Sequence, residues 1–510
     1  MPTRRLLLTA GAATLSTGAI VGSMGCSGAS PPAAATPALS PEHAFLAKLG
    51  QGLSEEFDYL AEVDGRLPGR LSGTLYRNGP GLFERGGTKK WNLLDGDGML
   101  RVTSFADGQA RFRTRFVRTA KYDAEQKAGA FLYPTWATPA SGSFTNIPSR
   151  SQAGITPVVK NGVLFAFDEV SVPYTLDPLS LATTGTADPC EAVDGPASYK
   201  AHTKTDGETG RWVLVGGRGQ RNPDLHVVVN DASGKALAHV STPNPRSGYT
   251  YYHDFFWTGR EVVFHLQPAF LSPVPMLLGT RTFVDSLSWQ PDKGGMLLVV
   301  DPSGARASLS LDVPPVWMWH VLNAYRSGDT IVADFVGYDA PDHFLGPEAT
   351  FRTIMQGREG VANSPGKLRR FTIDLPSKRA RLETIADGHY EFPIAAPQQT
   401  GRKHRYAYLA SGDLSRSWYH DGVARIDTDS GQRREFRFGP GHYVGEPVFA
   451  PNPRAHDETD GWLLCEVLEG KSERSMLAVF DARRVEDGPV ARVQLRHHLP
   501  ISFHGWWQAA

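Results

Sequence analysis

The stretch Ile426-Asp427-Thr428-Asp429-Ser430-Gly431 decides the fold, because it ends an apolar run with the residues of a tight turn. Asp, Asn and Gly tolerate the positive backbone φ angles that β-hairpin turns require. Six other stretches follow the same plan: Phe105–Gly108, Leu176–Leu179, Val229–Gly234, Val300–Gly304, Ile373–Ser377 and Phe480–Ala482. Between them, from about Glu55 onward, short alternating apolar runs replace helical periodicity. Seven hairpins predict an all-β, seven-bladed β-propeller. An irregular array of β-sandwiches is the alternative.

The composition restricts the kinds of partner and the number of domains. Of the 510 residues, 53 are Lys or Arg and 53 are Asp or Glu, so no net charge favours nucleic acid. The three cysteines are Cys26, Cys190 and Cys465, an odd and sparse set that gives neither a disulfide framework nor a paired zinc pattern. Because a propeller accommodates this length, residues 51–510 are predicted to form a single domain.

The first fifty residues differ from the rest of the chain. Arg4 and Arg5 precede an apolar run that is short and rich in Gly and Ala, which is typical of a twin-arginine export signal rather than a membrane span. Ser23-Met24-Gly25-Cys26 resembles a bacterial lipobox, so Cys26 is a candidate for lipidation. We therefore predict an export signal over residues 1–26, a flexible linker over 27–50, and a location in the periplasm or cell envelope.

Four histidines have apolar or aromatic neighbours, including the one in the C-terminal run Pro500–Ala510. A lone buried histidine more often satisfies a core hydrogen bond than binds a metal, since metal sites need several ligands. The inner strands of a propeller, however, face one axial channel, so one histidine from each of several blades would converge there. The predicted metal ligands are His202, His253, His320 and His504. Neutral imidazoles suit a metal such as Fe(II) or Zn(II).

Three glutamates lie in apolar strands, where an unpaired charge would be costly. Histidine ligands usually donate their second ring N–H to a carboxylate, which fixes the tautomer. Glu169, Glu391 and Glu446 are therefore the predicted partners of the histidines, although each alone could be an ordinary strand-end residue. The sequence does not decide which glutamate serves which histidine.

Six motifs, in order from about Glu55 to the C-terminus, resemble those of the carotenoid cleavage oxygenases. They are Gly73–Gly81, Leu94–Leu100, Tyr252–Phe255, Tyr390–Pro393, Gly445–Phe449 and Phe503–Trp506. The resemblance implies a seven-bladed propeller in which long loops and short helices form a cap over an axial site. It also implies one Fe(II) per chain, bound by the four histidines, with the three glutamates behind them. The implied reaction is cleavage of a conjugated C=C bond of a carotenoid or apocarotenoid by O2 to give two carbonyl products.

Several alternatives remain at this level. The resemblance also covers stilbene-cleaving (lignostilbene) dioxygenases, for which Lys121 could bind a phenolate or else be structural. A non-catalytic envelope propeller that binds a ligand is a second alternative, and a calcium-dependent propeller hydrolase would need Asp, Asn and Glu ligands instead. The apolar segment 270–278 is either a buried loop or short helix over the site, or an exposed patch for peripheral membrane contact or substrate entry.

Overall fold

The computed structural model describes residues 41–139, 151–169, 171–190, 194–218, 224–358 and 362–510. The predicted export signal, Cys26 and the first part of the predicted linker lie outside these residues. Within them, antiparallel β-sheets dominate, and seven sheets contain four or more strands. This number equals the number of hairpins that the sequence predicts.

The seven larger sheets follow one another along the chain. The first contains Asp58–Leu60, Gln109–Phe116, Asp97–Ala106, Gly73–Leu82 and Gly505–Ala509; the second contains Thr156–Lys160, Val163–Phe167, Tyr174–Leu176 and Thr183–Thr186. The third contains Ser198–Thr205, Trp212–Arg218, Asp224–Asn230 and Ala236–Thr242; the fourth contains Phe255–Trp257, Val262–Leu266, Gly295–Val300 and Leu309–Val313. The fifth contains Trp317–Ser327, Thr330–Tyr338, Lys367–Asp374 and Arg379–Ala386; the sixth contains His389–Ile394, Tyr406–Gly412, Gly422–Asp427 and Arg433–Arg437.

The seventh sheet contains Glu62–Gly65, Pro489–Gln494, Arg474–Asp481, Gly461–Glu469, His442–Val444 and the additional strand Val448–Pro451. Two small sheets complete the described strands: Tyr249–Thr250 with Ala269–Leu271 and Leu287–Trp289, and Glu84–Arg85 with Thr88–Lys89.

Each of the seven predicted turns joins two neighbouring strands of a different large sheet. The first turn shows why its residues are suited to the position, since Asp107 and Gly108 have φ angles of 51° and 72°. Both angles lie in the left-handed region, which two-residue hairpins with the twist of β-strands require. The hairpin prediction is confirmed at all seven positions.

The two ends of the described chain meet in the first and seventh sheets. The C-terminal strand Gly505–Ala509 pairs antiparallel with Gly73–Leu82, while Asp58–Leu60 joins the first sheet and Glu62–Gly65 the seventh. The C-terminal run is therefore part of a sheet, as its apolar character predicts, and its pairing fixes the segment that carries His504.

Helices are few and short. The α-helices are Pro41–Leu46, Ala120–Ala128, Pro273–Leu277 and Thr350–Thr353, and the 3-10 helices are Ala47–Gly50, Val284–Ser286, Pro291–Lys293, Pro397–Gln399 and Val485–Asp487. Residues 41–50, which the predicted linker includes, are helical, and they bury Leu46 and Leu49 in the largest apolar cluster. The folded part thus begins before the predicted boundary at residue 51. No helix in the described ranges has the length and apolar character to cross a bilayer.

Long insertions between strands form an apolar layer with the ends of the inner strands. Trp136, Phe344 and Phe351 come from such insertions, and they pack with Trp317 and Trp319 of the fifth sheet in one buried cluster. Burial of aromatic rings on this scale stabilises the layer by excluding water from a large area. This arrangement agrees with the predicted cap of loops and short helices.

Candidate metal centre

The four predicted histidines converge, although 302 positions separate the first from the last. His202 and His320 lie on the first strands of the third and fifth sheets. His253 lies two residues before the first strand of the fourth sheet, and His504 directly precedes the C-terminal strand of the first. One nitrogen from each ring lies within 4.8 Å of the corresponding nitrogens of the other three. The Nε2 atoms of His202 and His253 are 3.0 Å apart. The structure therefore brings the whole predicted set together.

The histidine cluster is buried, and burial controls its charge. Burial lowers the pKa of His202 well below its ordinary value, and the three neighbouring imidazoles lower that pKa further. Burial also lowers the pKa of His504 to about 4, against the opposing effect of Glu446. Both rings are therefore neutral at pH 7 and present nitrogen lone pairs, as metal binding requires.

Each predicted glutamate holds one histidine through the ring nitrogen that faces away from the cluster. The Nδ1–H of His253 donates to Glu169 at 2.6 Å and that of His320 donates to Glu391 at 2.5 Å. His504 makes the corresponding bond to Glu446 at 2.9 Å. These bonds fix the tautomer, so that each Nε2 lone pair points into the cluster. The structure thus supplies the pairing that the sequence left open.

His202 is the exception, because no glutamate in the described ranges binds its Nδ1. The nearest carboxylate oxygen, Oδ2 of Asp254, is 3.9 Å away, beyond hydrogen-bond distance. Asp254 instead forms an ion pair with Lys204, with a shortest distance of 2.8 Å, and accepts the main-chain N–H of Val321 at 2.9 Å. The sequence analysis did not predict a role for Asp254, although it directly follows His253 in a quoted motif.

The donor set fits a divalent metal ion. Four buried imidazoles bring one nitrogen atom each close together. In three of them Nδ1 carries the proton, so the Nε2 atom that faces the cluster has a free lone pair. Converging lone pairs repel one another unless a cation lies between them. A separation of 3.0 Å between two of the nitrogens is compatible with both binding one ion at about 2.1 Å.

Lys200 is a site residue that the sequence analysis missed. Its ammonium forms an ion pair with Oε1 of Glu169, whose other oxygen binds His253. Burial raises the pKa of Glu169, but His253 and Lys200 outweigh burial, and the net pKa is lowered. The available signal was a lysine two positions before His202, in the strand Ser198–Thr205.

Two buried arginines hold the segment that carries His504. Arg77 donates to the main-chain oxygen of Glu446 at 2.7 Å and to Oγ of Ser502 at 2.9 Å. Arg101 donates to the main-chain oxygen of Ile501 at 3.0 Å. Both guanidinium groups lie within 4 Å of the same carboxylate, Glu466. The segment that precedes the C-terminal strand is therefore anchored by two buried arginines.

A predominantly apolar cavity reaches the cluster from the side of the apolar layer. His253, His320 and His504 line its inner end, and its walls include Trp136, Ile155, Trp319, Phe351, Trp418 and Leu468. Phe392 stacks on His320 with ring centroids 5.1 Å apart. A second, more polar cavity is lined by His202, His320, His504, Lys204 and Asp254. The cluster thus lies between an apolar space and a polar space.

Lys121 lines neither cavity. It is fully buried in helix Ala120–Ala128, where it donates to Asp97 at 2.5 Å and to Glu125 at 2.8 Å. Burial lowers the pKa of Lys121, but the two carboxylates outweigh burial and raise it. Of the two roles considered for Lys121, the structural one agrees with these contacts.

An all-β fold with a buried four-histidine cluster beside an apolar cavity is typical of a metalloenzyme. Sequence comparison identifies the family. The profile of the family described as retinal pigment epithelial membrane protein (RPE65) matches residues 51–509. The apocarotenoid-15,15'-oxygenase of Synechocystis sp. is 30% identical over 471 residues, covering 90% of this chain and 94% of the relative. The isoeugenol monooxygenase of Pseudomonas nitroreducens is 28% identical, covering 88% and 94%.

Two further comparisons agree. The lignostilbene-alpha,beta-dioxygenase isozyme III of Sphingomonas paucimobilis is 26% identical, covering 88% of this chain and 93% of the relative. The solved structure of cobalt-substituted Synechocystis apocarotenoid oxygenase superposes with a TM-score of 0.84 at 29% identity, covering 92% of this chain and 99% of that one. The chain belongs to the RPE65, or carotenoid cleavage oxygenase, family. It is an oxygenase with the propeller fold of that family.

Proposed function

We propose that the chain binds one Fe(II) ion through His202, His253, His320 and His504, and that Glu169, Glu391 and Glu446 orient three of these ligands. The convergence of four imidazole nitrogens supports a metal of intermediate softness. Zn(II) also accepts imidazole but has no redox chemistry, whereas an oxygenase must handle O2. Iron, the metal that the family resemblance implies, satisfies both the ligand set and the reaction class.

The proposed reaction is the cleavage of a conjugated C=C bond of a carotenoid or apocarotenoid by O2 into two carbonyl products. When bound, the iron supplies the activation of O2. The protein supplies the remaining requirements. The apolar cavity holds a rigid polyene and excludes water, while Phe392 and Trp319, whose rings lie 5.1 Å from those of His320 and His253, restrict where a double bond can approach.

The observation that favours a polyene over a phenolic substrate is the composition of the cavity wall. None of the described residues that line it is Lys or Arg, so no cation is in place to bind a phenolate. Lys121, the candidate for that role, is held by two carboxylates outside the cavity. Stilbenoid cleavage remains the alternative, because relatives named for isoeugenol and lignostilbene match the chain over most of its length.

A non-catalytic binding protein is the remaining alternative. It predicts an incomplete or displaced histidine set, since nothing would maintain all four ligands and their partners. The chain instead retains four converging imidazoles with three carboxylates bound behind them. The complete arrangement therefore favours the enzyme.

One experiment separates these functions. Protein purified without air is loaded with Fe(II), offered an apocarotenal or a hydroxystilbene under O2, and the products are identified by mass spectrometry. Paired carbonyl fragments of the apocarotenal are expected, and their masses locate the cleaved bond. Fragments from the stilbene alone would show that the enzyme is a stilbene-cleaving oxygenase instead. Iron binding without cleavage of either compound would overturn the substrate class, and absence of iron binding would favour the binding protein.

The segment 270–278 contains the end of one strand and the short helix Pro273–Leu277. Val274, in this helix, is 61% exposed, and Leu278, directly after it, is 71% exposed. We propose that these side chains make peripheral contact with a membrane, since exposed apolar residues on a helix suit the bilayer interface. Replacing both with Asp should reduce co-sedimentation with phospholipid vesicles. Leu179→Asp, at a position that is 78% exposed, is the matched control and should bind as the parent protein does.

We further propose that residues 1–26 export the protein to the periplasm or cell envelope, with Cys26 as the lipid-bearing residue. The support is the sequence of paired arginines, apolar run and lipobox-like residues. Cell fractionation tests the proposal. Cys26→Ala should move the protein from the membrane fraction to the soluble periplasmic fraction, and a cytoplasmic parent protein would contradict export.

A further inference from the structure

The three glutamates behind the histidines differ in their second partner. Besides its histidine, Glu391 accepts the main-chain N–H of Phe392, and Glu446 accepts that of Gly505. Neither carboxylate forms an ion pair with a Lys or Arg side chain in the described part of the chain. Glu169 does, because its Oε1 binds the ammonium of Lys200. One of the three carboxylates is thus neutralised by a cation and two are not.

Lys200 is connected to the histidine cluster through Glu169. Its side chain is 4% exposed, and its ammonium lies 5.0 Å and 4.7 Å from the ring centroids of Tyr251 and Tyr252. A buried ammonium between aromatic rings gains some cation–π attraction, but it requires a charged partner to offset the loss of hydration. Glu169 is that partner. Lys200 does not line the apolar cavity, so it does not contact the substrate.

The charged groups behind the four imidazoles do not cancel one another. Behind His202, Asp254 and Lys204 form an ion pair of zero net charge. Behind His253, Glu169 and Lys200 form a second such pair. Among the described residues that contact the imidazoles or their carboxylates, only Glu391 and Glu446 remain without a cationic partner, so these described groups carry two net negative charges. Farther out, Arg77 and Arg101 share Glu466, and Arg77 contacts Glu446 through its main-chain oxygen.

We propose that Lys200 sets the charge of the metal centre: by neutralising Glu169, it matches the surrounding protein charge to that of one divalent ion. The inference rests on the proposed metal site and specifies how the protein holds the metal in the divalent state. Without Lys200, the same imidazoles would be surrounded by three net negative charges. An additional buried negative charge stabilises the trivalent over the divalent ion, because Coulomb interactions are strong in a buried site. Lys200 is therefore a positioning and charge-setting residue, not a catalytic one.

The test is the reduction potential of the iron-loaded protein, measured by anaerobic spectroelectrochemistry in four forms. Lys200→Met removes the cation but keeps the apolar stem, and it should raise the ratio of Fe(III) to Fe(II) at a fixed potential by at least tenfold, which is about 59 mV for a one-electron couple. Glu169→Gln should change the ratio in the opposite direction. The double variant Glu169→Gln/Lys200→Met restores two net negative charges, so its ratio should lie within about threefold of the parent protein.

The order of the four potentials distinguishes charge from structure. If Lys200 merely held Glu169 in place, the double variant would resemble Lys200→Met instead of the parent protein, and the proposal would be overturned. An unchanged potential in Lys200→Met would overturn it as well. Lys160→Met is the matched control, because Lys160 has no carboxylate partner among the described residues and should leave the potential unchanged. Failure of the parent protein to bind iron would instead overturn the metal centre itself.

Discussion

The carboxylate of Glu446 binds the Nδ1–H of His504 at 2.9 Å through one oxygen and the main-chain N–H of Gly505 at 2.7 Å through the other. One side chain thus fixes both the imidazole and the start of the strand that joins the C-terminus to the first sheet. The orientation of this ligand and the attachment of the chain end therefore depend on the same group.

We expect Glu446→Gln to weaken metal binding by about 10- to 100-fold, the usual cost of losing a partner that orients a ligand. The amide keeps one acceptor but loses the charge that polarises His504. Competition with a chelator, using Co(II) or Fe(II), measures the affinity. Glu84→Gln, at an exposed glutamate in the small sheet of Glu84–Arg85, is the control and should bind as the parent protein does. Equal metal affinity of Glu446→Gln and Glu84→Gln would show that Glu446 does not support a metal ligand.

His202→Ala should abolish stoichiometric iron binding, although no glutamate among the residues that the structure describes lies behind His202. The remaining three imidazoles leave one coordination position without a protein ligand, and water enters the cavity that the missing ring leaves. His226→Ala is the matched control, because His226 is also buried in the third sheet but pairs with His239. Metal analysis after anaerobic loading should give about one iron per chain for His226→Ala and almost none for His202→Ala. Full iron content in His202→Ala would refute the ligand assignment.

The sequence predicted those features that depend on local chemistry. Turn residues such as Asp107 and Gly108 adopt positive φ angles whatever their distant surroundings, so all seven hairpins could be placed. The histidines could be identified because aromatic neighbours indicate burial. By contrast, residues 41–50 resemble the linker before them, and only their packing under the apolar layer, through Leu46 and Leu49, shows that they are folded.

The pairing of glutamates with histidines could not be predicted, because it depends on contacts between sheets. Glu391 reaches His320 across 71 positions, from the sixth sheet to the fifth, and Glu446 reaches His504 across 58. Lys200 was missed for a related reason. A lysine beside a predicted ligand is ordinarily exposed, and only the approach of Glu169 from the second sheet explains its burial.

His265 should make the protein sensitive to acid. This imidazole is fully buried, neither ring nitrogen has a hydrogen-bond partner among the described residues, and burial lowers its pKa to about 3. Between pH 6.5 and pH 3 the unfolded chain therefore binds a proton that the folded chain does not, so stability falls as the pH falls through this window.

His265→Leu removes that penalty while filling a similar volume beside Phe335 and Phe371. Between pH 7.5 and pH 4.5, the parent protein should lose about 3 kcal/mol more unfolding free energy than the variant does. Urea denaturation at the two pH values measures this difference, in which the other titrating groups cancel. The variant should also be at least as stable at pH 7.5, because it no longer buries two unpaired nitrogens. Parallel losses in both proteins would contradict the buried, neutral imidazole.

Lys121→Met should destabilise the protein without changing its choice of substrate. The substitution leaves Asp97 and Glu125 buried near each other without the ammonium between them, and breaking a buried ion pair in this way costs about 3–5 kcal/mol. Lys127→Met, on the exposed side of the same helix, should change the free energy of unfolding by less than about 0.5 kcal/mol. Because Lys121 lies outside the apolar cavity, the ratio of kcat/KM for an apocarotenal to that for a hydroxystilbene should be the same in the folded variant as in the parent protein. A selective loss of stilbene turnover would show that Lys121 binds the phenolate after all, and would favour the phenolic substrate.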